Sequence, residues 1–421
     1  MSDKIDVVHC AWLVRCGQDI QANQRLTIVN GILQEICDVP ADEQSLVQPI
    51  TVLPALVNAH THLEFSNLQA PLPPPSPFPD WIRSVVKYRQ AGLTKPSHIQ
   101  EAVVSGYTEC QTTGTSVIGE ICTSDAGRDA MIRAVADAGR GATSSVCFRE
   151  LLGFTAGRVA QQQQIADDFV SRWQRSKATC ADVVAGLSPH APYSVHPDIV
   201  LHACELSKKH DLPIAMHLAE TKDEVELIES KQGRFVDFLD SLGLWQVETL
   251  AGLSKIADYL AMLKTASSAL AIHANYLDDT DVRLLAESAN ITTVYCVRTH
   301  QWFGHTKHPW QQIEAAGGRV ILGTDSRASN SDLSIWKELQ TFCRLNQNES
   351  IIKRLPMIST HAAQALGLNP ASVNLEIGTR FRAAVAHTPV TMPSQLESSL
   401  MQPSLKIHSV ANGSQVRILK S

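Results

Sequence analysis

Apolar residues recur along this chain in two rhythms. Near the start, short β-rich runs alternate with turns: Ile5–His9, Leu26–Val29, the Asn30-Gly31 hairpin signal, then Ile32–Ile36. The far end repeats the pattern, with Leu405–Ser409, Asn412-Gly413 and Gln415–Leu419. The two ends together predict one small β-sandwich, residues 1–52 and 372–421. Between them, over 53–371, apolar strands alternate with helical stretches. The strands are Val52–Val57, Thr115–Gly119, Thr143–Phe148, Val183–Leu187, Pro213–Met216, Ala269–Ile272, Thr292–Tyr295 and Arg319–Leu322. Helical stretches include His98–Thr112, Asp129–Ala138, Pro197–His210 and Thr221 to about Leu242. Eight strands with helical crossovers predict an α/β fold, a (β/α)8 or TIM barrel. An open doubly wound sheet is the alternative, but no Gly-rich phosphate fingerprint follows the first strand.

Pro71–Pro79 holds six prolines in nine residues, so it reads as an extended surface segment leading into a helix near Asp80. With 421 residues the chain is long enough for a large domain and a smaller one, and 44% hydrophobic with 19% charged residues is ordinary for a globular protein. A net charge of −6 gives no reason to expect nucleic acid or an anionic membrane as partner, and favours a small-molecule substrate; a homo-oligomer is compatible. The N-terminal residues lack a signal peptide's basic start and apolar stretch, and no apolar run is long enough to span a bilayer. The ten cysteines form no CxxC pair and read as buried thiols, which places the protein in the cytoplasm.

Function in a barrel sits where strands end at the C-terminal face. The first strand ends in His60-Thr61-His62, and residues i and i+2 of an extended segment point the same way. The fifth ends in His217, the sixth in His273 and the eighth in Gly323-Thr324-Asp325. Imidazoles and a carboxylate form the ligand set expected for catalytic Zn²⁺ or Fe²⁺. Any one of these histidines alone is more often a hydrogen-bonded core residue than a ligand. Their joint occurrence at four strand ends is what points to a metal.

These residues also carry a resemblance. Leu53-Pro-Ala-Leu-Val-Asn-Ala-His-Thr-His-Leu is similar to the first-strand motif of the amidohydrolase superfamily, His217-Leu-Ala-Glu220 to the fifth-strand HxxE of its deaminase branch, and Leu322-Gly-Thr-Asp325-Ser to its eighth-strand motif. His273 matches the sixth-strand histidine, and Leu187-Ser-Pro-His190 the fourth-strand segment. Val297 stands where relatives usually carry proline. The group most resembled contains chlorohydrolases and adenosine-type and aminodeoxyfutalosine deaminases. The resemblance implies one divalent metal, zinc or iron, held by His60, His62, His217 and Asp325. Glu120 and Glu150, at the ends of the second and third strands, keep a second ion open.

A bound dication lowers the pKa of its water from 15.7 towards about 7. The expected catalytic residues are Asp325 as base, His273 as the group that orients the attacking oxygen or steadies charge on it once bonded to carbon, and Glu220 as donor to a ring nitrogen. His190, Glu150, Arg149, Trp81, Arg298, His300 and Arg327 are the expected substrate contacts, the arginines pointing to an anionic group on the substrate. Hydrolytic deamination of an aminopurine nucleoside leads the readings. Hydrolysis of another bond on a heteroaromatic ring or of a cyclic amide, and a non-catalytic scaffold, are the alternatives.

Overall fold

The computed structural model describes residues 3–73, 76–92, 95–139, 144–176, 182–411 and 415. Thr143, Pro74, Pro75, the Asn412-Gly413 turn and residues 416–419 lie outside the described residues. Fourteen strands, β1 to β14, run in chain order as Ile5–Leu13, Gln21–Val29, Ile32–Asp38, Gln48–Pro54, Leu56–Thr61, Thr115–Cys122, Ser144–Leu151, Val183–Pro189, Pro213–Leu218, Ser268–His273, Ile291–Tyr295, Val320–Leu322, Ala383–His387 and Ile407–Val410.

Eight of them, β5 to β12, form a parallel sheet in sequence order, with helices on the crossovers. Their side chains are almost all buried, as expected where helices cover the outside of a parallel sheet and side chains fill the inside. The remaining six make one sheet in the order β14-β13-β4-β1-β2-β3, so the two chain ends do combine, as a single sheet with its own apolar cluster around Leu26, Ile28, Val52 and Phe381. Among the described residues no helix is long and apolar enough to cross a membrane.

Two elements differ from the sequence reading. The run Val52–Val57 belongs to both sheets: Val52 pairs with Val385 in the small sheet, whereas Val57 pairs with Val117 in the barrel. The chain changes sheet at Ala55, whose N–H is taken by the Val373 carbonyl at 2.9 Å. Uninterrupted burial from Ile50 to Thr61 hides this corner from any hydrophobicity pattern. The stretch beginning at Thr221 is two helices, Lys222–Ser230 and Arg234–Ser241. They part at Lys231 (φ 55°) and Gly233 (φ 91°), where a Cβ on the glycine would lie 2.2 Å from Glu226 Oε2.

The barrel closes between its first and last strands, next to the candidate site. β12 is only three residues long, and the closing contacts lie beyond it: Thr61 bridges Asp325, and the Asp325 N–H donates to the His60 carbonyl at 3.1 Å. Buried Asn58 reinforces the seam, donating to Thr324 Oγ1 at 2.7 Å and accepting the Thr324 N–H at 3.1 Å. Gly323 permits the approach, since a Cβ there would lie 2.9 Å from both His60 Cβ and Val294 Cγ1. Replacing Asn58 by alanine leaves the buried Thr324 N–H unpaired and removes a donor from its hydroxyl, and should lower stability by about 1–3 kcal/mol in denaturant unfolding. A loss below about 0.5 kcal/mol would show that the seam closes without it.

Candidate functional site

Strand direction brings the predicted ligands together. His60 and His62 leave β5 on the same side, and His217, His273 and Asp325 arrive from the ends of β9, β10 and β12. His62 Nε2 and His217 Nε2 are 3.3 Å apart, and Asp325 Oδ1 is 3.6 Å from Nε2 of both His60 and His62. Potential ligand atoms of His60, His62 and Asp325 lie within 4.8 Å of one another, as do those of His60, His217 and His273. Among the described residues neither grouping includes Glu120 or Glu150.

Local hydrogen bonds orient this set. His217 Nδ1 lies 3.1 Å from the His190 carbonyl, which fixes the proton on Nδ1 and leaves the Nε2 lone pair facing the cluster. Asp325 Oδ2 accepts from Ser329 Oγ at 2.6 Å, so Oδ1 is turned inward. Glu120, fully buried, accepts the Leu63 N–H (2.8 and 3.1 Å) and the Thr61 hydroxyl (2.5 Å), gripping the backbone on both sides of His62. Four residues at or beside the cluster, Ala219 (φ 51°), His273 (φ 70°), Ala274 (φ 51°) and Asp325 (φ 59°), occupy the left-handed region that side chains disfavour. Neighbouring groups hold them there. Glu224 accepts the N–H groups of Ala219 (2.7 Å) and Glu220 (3.0 Å), and His308 Nε2 lies 2.8 Å from the His273 carbonyl.

The electrostatics match a cation site. Burial, together with neighbouring histidines, pushes His62, His217 and His273 well below the usual imidazole range, so they are neutral and present lone pairs. Burial alone would raise the Asp325 carboxyl, but His60, with Nε2 at 3.6 Å, and the neighbouring His62 and His273 rings hold it well below the carboxylate range. The net result is one carboxylate beside the neutral imidazoles of His62, His217 and His273. Among the described residues both ring nitrogens of His60 and Nδ1 of His62 are buried without a hydrogen-bond partner. A divalent ion fits this donor set, because it would satisfy inward-facing nitrogens and the carboxylate together. Glu220 behaves oppositely: burial first, then Asp325 and Glu224, raise it well above the usual range, and its Oε1 lies 3.4 Å from His273 Nε2.

The cluster forms the floor of a cavity of about 530 Å³ whose walls include Phe65, Trp81, Val85, Phe154, Tyr193 and Phe238. His190, Glu150 and Trp81 line it. Arg149, Arg298, His300 and Arg327 do not. Arg149 donates to the carbonyls of Cys122, Thr123 and Glu150. Arg298 pairs with Glu338 (2.6 Å) and Asp332 (2.9 Å), and Arg327 holds both oxygens of Glu109 (2.9 and 3.0 Å). His300 is used by Asn275 and the Thr306 carbonyl. The anionic-substrate expectation built on these arginines therefore loses its basis: each is committed to bracing loops behind the cavity. The cavity's arginines are instead Arg89 and Arg158. Arg89 sits on the helix Phe78–Gly92, far in sequence from any strand end, and carried no signal in the sequence. Glu224, four residues after Glu220 on a helix, could have been found from its spacing.

With the geometry in hand, comparisons with known proteins agree. Over 358 residues the chain is 26% identical to a 5-methylthioadenosine/S-adenosylhomocysteine deaminase of Pyrococcus furiosus, covering 81% of this chain and 77% of that protein. The solved structure of Helicobacter pylori aminofutalosine deaminase in complex with methylthio-coformycin superposes with a TM-score of 0.78 at 20% identity, covering 96% of this chain and all of that one. An adenosine deaminase from Xanthomonas campestris with bound zinc gives 0.71 at 19% identity, covering 93% and 88%. The model of the amidohydrolase family matches residues 51–398, and the chain belongs to that family.

Proposed function

We propose that this protein is a metal-dependent hydrolase of carbon–nitrogen bonds that deaminates an aminopurine nucleoside. The observation that carries the reading is Glu220, a carboxyl on the cavity floor whose pKa is raised by burial, beside a cluster suited to one divalent ion. The relatives' names, deaminases of methylthioadenosine and related adenine nucleosides, support the same reading.

His60, His62, His217 and Asp325 would hold the ion, which we take to be zinc, as in the Xanthomonas structure. When bound, it supplies water acidic enough to attack at neutral pH. Glu220 donates its proton to a purine ring nitrogen, drawing electrons from the adjacent carbon that bears the amino group. Asp325 accepts a proton from the attacking water and returns it to the departing amine. Neutral His273, 3.4 Å from Glu220, steadies the oxygen that becomes bonded to carbon. The apolar walls hold the base and exclude bulk water. A reducing cytoplasm suits the nine described cysteines, all unpaired.

The reading is tested by ammonia release from adenine nucleosides, with conversion of the adenine chromophore to hypoxanthine in equal amount. Chloride release from a halogenated ring, or ring opening without ammonia, would replace it with another hydrolase reaction. Glu220→Gln should keep the bound metal and the fold while kcat falls about 10²- to 10⁴-fold. Because Glu220 acts as an acid, wild-type kcat/KM should decline as pH rises through its elevated pKa. Near wild-type turnover in Glu220→Gln would remove this residue from the mechanism.

A further inference from the structure

The turn that carries Glu220 has every backbone polar group engaged. Glu224 accepts the N–H groups of Ala219 and Glu220 at 2.7 and 3.0 Å, and the N–H groups of Asn275 and Tyr276 reach the Ala219 carbonyl at 3.0 and 3.2 Å. The Glu220 carbonyl takes the side-chain amide of Asn275 at 2.9 Å. Buried Asn275 follows β10, so its amide ties the end of β9 to the end of β10. Behind it stands buried His300, on the helix Val297–Trp302. Its Nδ1 lies 2.9 Å from Asn275 Oδ1, and its Nε2 lies 2.5 Å from the Thr306 carbonyl.

Donor and acceptor roles give this chain a direction. A carbonyl oxygen only accepts, so the Asn275 amide must turn its nitrogen towards Glu220, which leaves Oδ1 facing His300. Both ring nitrogens of His300 therefore stand opposite acceptors. Burial lowers the pKa of this imidazole, partly opposed by the Thr306 carbonyl, and its ring neighbours Tyr295, His305 and His308 include no anion. Near neutrality the ring thus has one proton for two oxygens. The two placements differ in cost. With the proton on Nε2, a bare Nδ1 would face Asn275 Oδ1, and turning the amide to relieve this would set its oxygen against the buried Glu220 carbonyl. With the proton on Nδ1, only the Thr306 carbonyl goes without a donor, and Thr306 is exposed, where water can serve it. The proton belongs on Nδ1.

We infer that His300 is a positioning residue for Glu220: its Nδ1–H fixes the Asn275 amide, which holds the Glu220 carbonyl and so aims the carboxyl at the substrate. This role rests on Glu220 being the proton donor proposed above, and it adds the two residues that set that donor. Neither of them lines the cavity. Losing the chain should therefore slow the chemical step and leave substrate affinity and the ion alone. A misplacement of about 1 Å can cost on the order of 10²-fold in rate.

The test has two arms, both on the zinc-loaded full chain. The first is nitrogen NMR of protein labelled with ¹⁵N-histidine at pH 7.5, with the His300 signals identified by their loss in His300→Asn. Nδ1 of His300 should be protonated, and a bare Nδ1 overturns the inference. The second is ammonia release from adenosine or another adenine nucleoside that wild type accepts. His300→Leu, which has no donor, should lose about 10- to 100-fold in kcat, with KM within about threefold and zinc content unchanged. His300→Asn should keep kcat within about threefold of wild type, because its amide nitrogen is bonded to Cγ as Nδ1 is. A folded His300→Leu with wild-type kcat, a loss that appears in KM or bound zinc instead, or a His300→Asn as impaired as His300→Leu overturns the inference. The tautomer of wild type decides the matter where His300→Leu fails to fold. A protonated Nδ1 without ammonia release from any adenine nucleoside would keep the donor chain and sink the deaminase reading. Ammonia release with a bare Nδ1 would do the reverse.

Discussion

Histidine ring nitrogens buried without partners are costly unless a cation meets them, and much of this molecule's architecture serves to hold the cluster in place. Water would ordinarily satisfy these nitrogens or protonate them. The barrel instead encloses them beside Asp325 and fixes the lone-pair direction of His217 through the His190 carbonyl. The backbone is drawn into the same task. Left-handed residues at the ends of β9, β10 and β12 aim side chains inward, at about 1–3 kcal/mol of strain each. Glu224, His308 and the His60–Asp325 seam hold these turns against relaxation.

This arrangement also separates two carboxyl groups by environment. Asp325 faces imidazoles and stays ionised, whereas Glu220, enclosed with two other acids nearby, favours its proton. Chemistry that must take a proton from water and give one to a ring nitrogen needs such a pair, with the acid and the base kept apart by their surroundings. Glu224, itself pushed up to about 8 by burial, contributes by accepting the Glu220 N–H and fixing that backbone.

The barrel, the joining of the chain ends and the inward histidines were legible because each follows from a period or from a strand-end position. Asp325 and Glu220 were legible from their places beside those histidines. What failed was anything decided by a partner distant in sequence. Arg298 and Arg327 stand near strand ends, yet Glu338 and Glu109, 40 and 218 residues away, take them out of the cavity. Arg89 reaches the cavity from a helix whose pattern gave no cue, and its contact with Glu150 appears only once β7 and that helix are packed together. Glu120 shows the same limit: a strand-end acid could be solvated or a ligand until the Thr61 hydroxyl and Leu63 N–H are found on its buried oxygens.

The central claim is that Nε2 of His60, His62 and His217, which face one another and Asp325 Oδ1, make one cation site with that carboxylate. Elemental analysis of protein purified without chelator measures this directly. The account predicts close to one zinc or iron per chain, lost in a His217→Ala variant that remains folded. Two tightly held ions per chain, or an ion retained in full without His217, would contradict it.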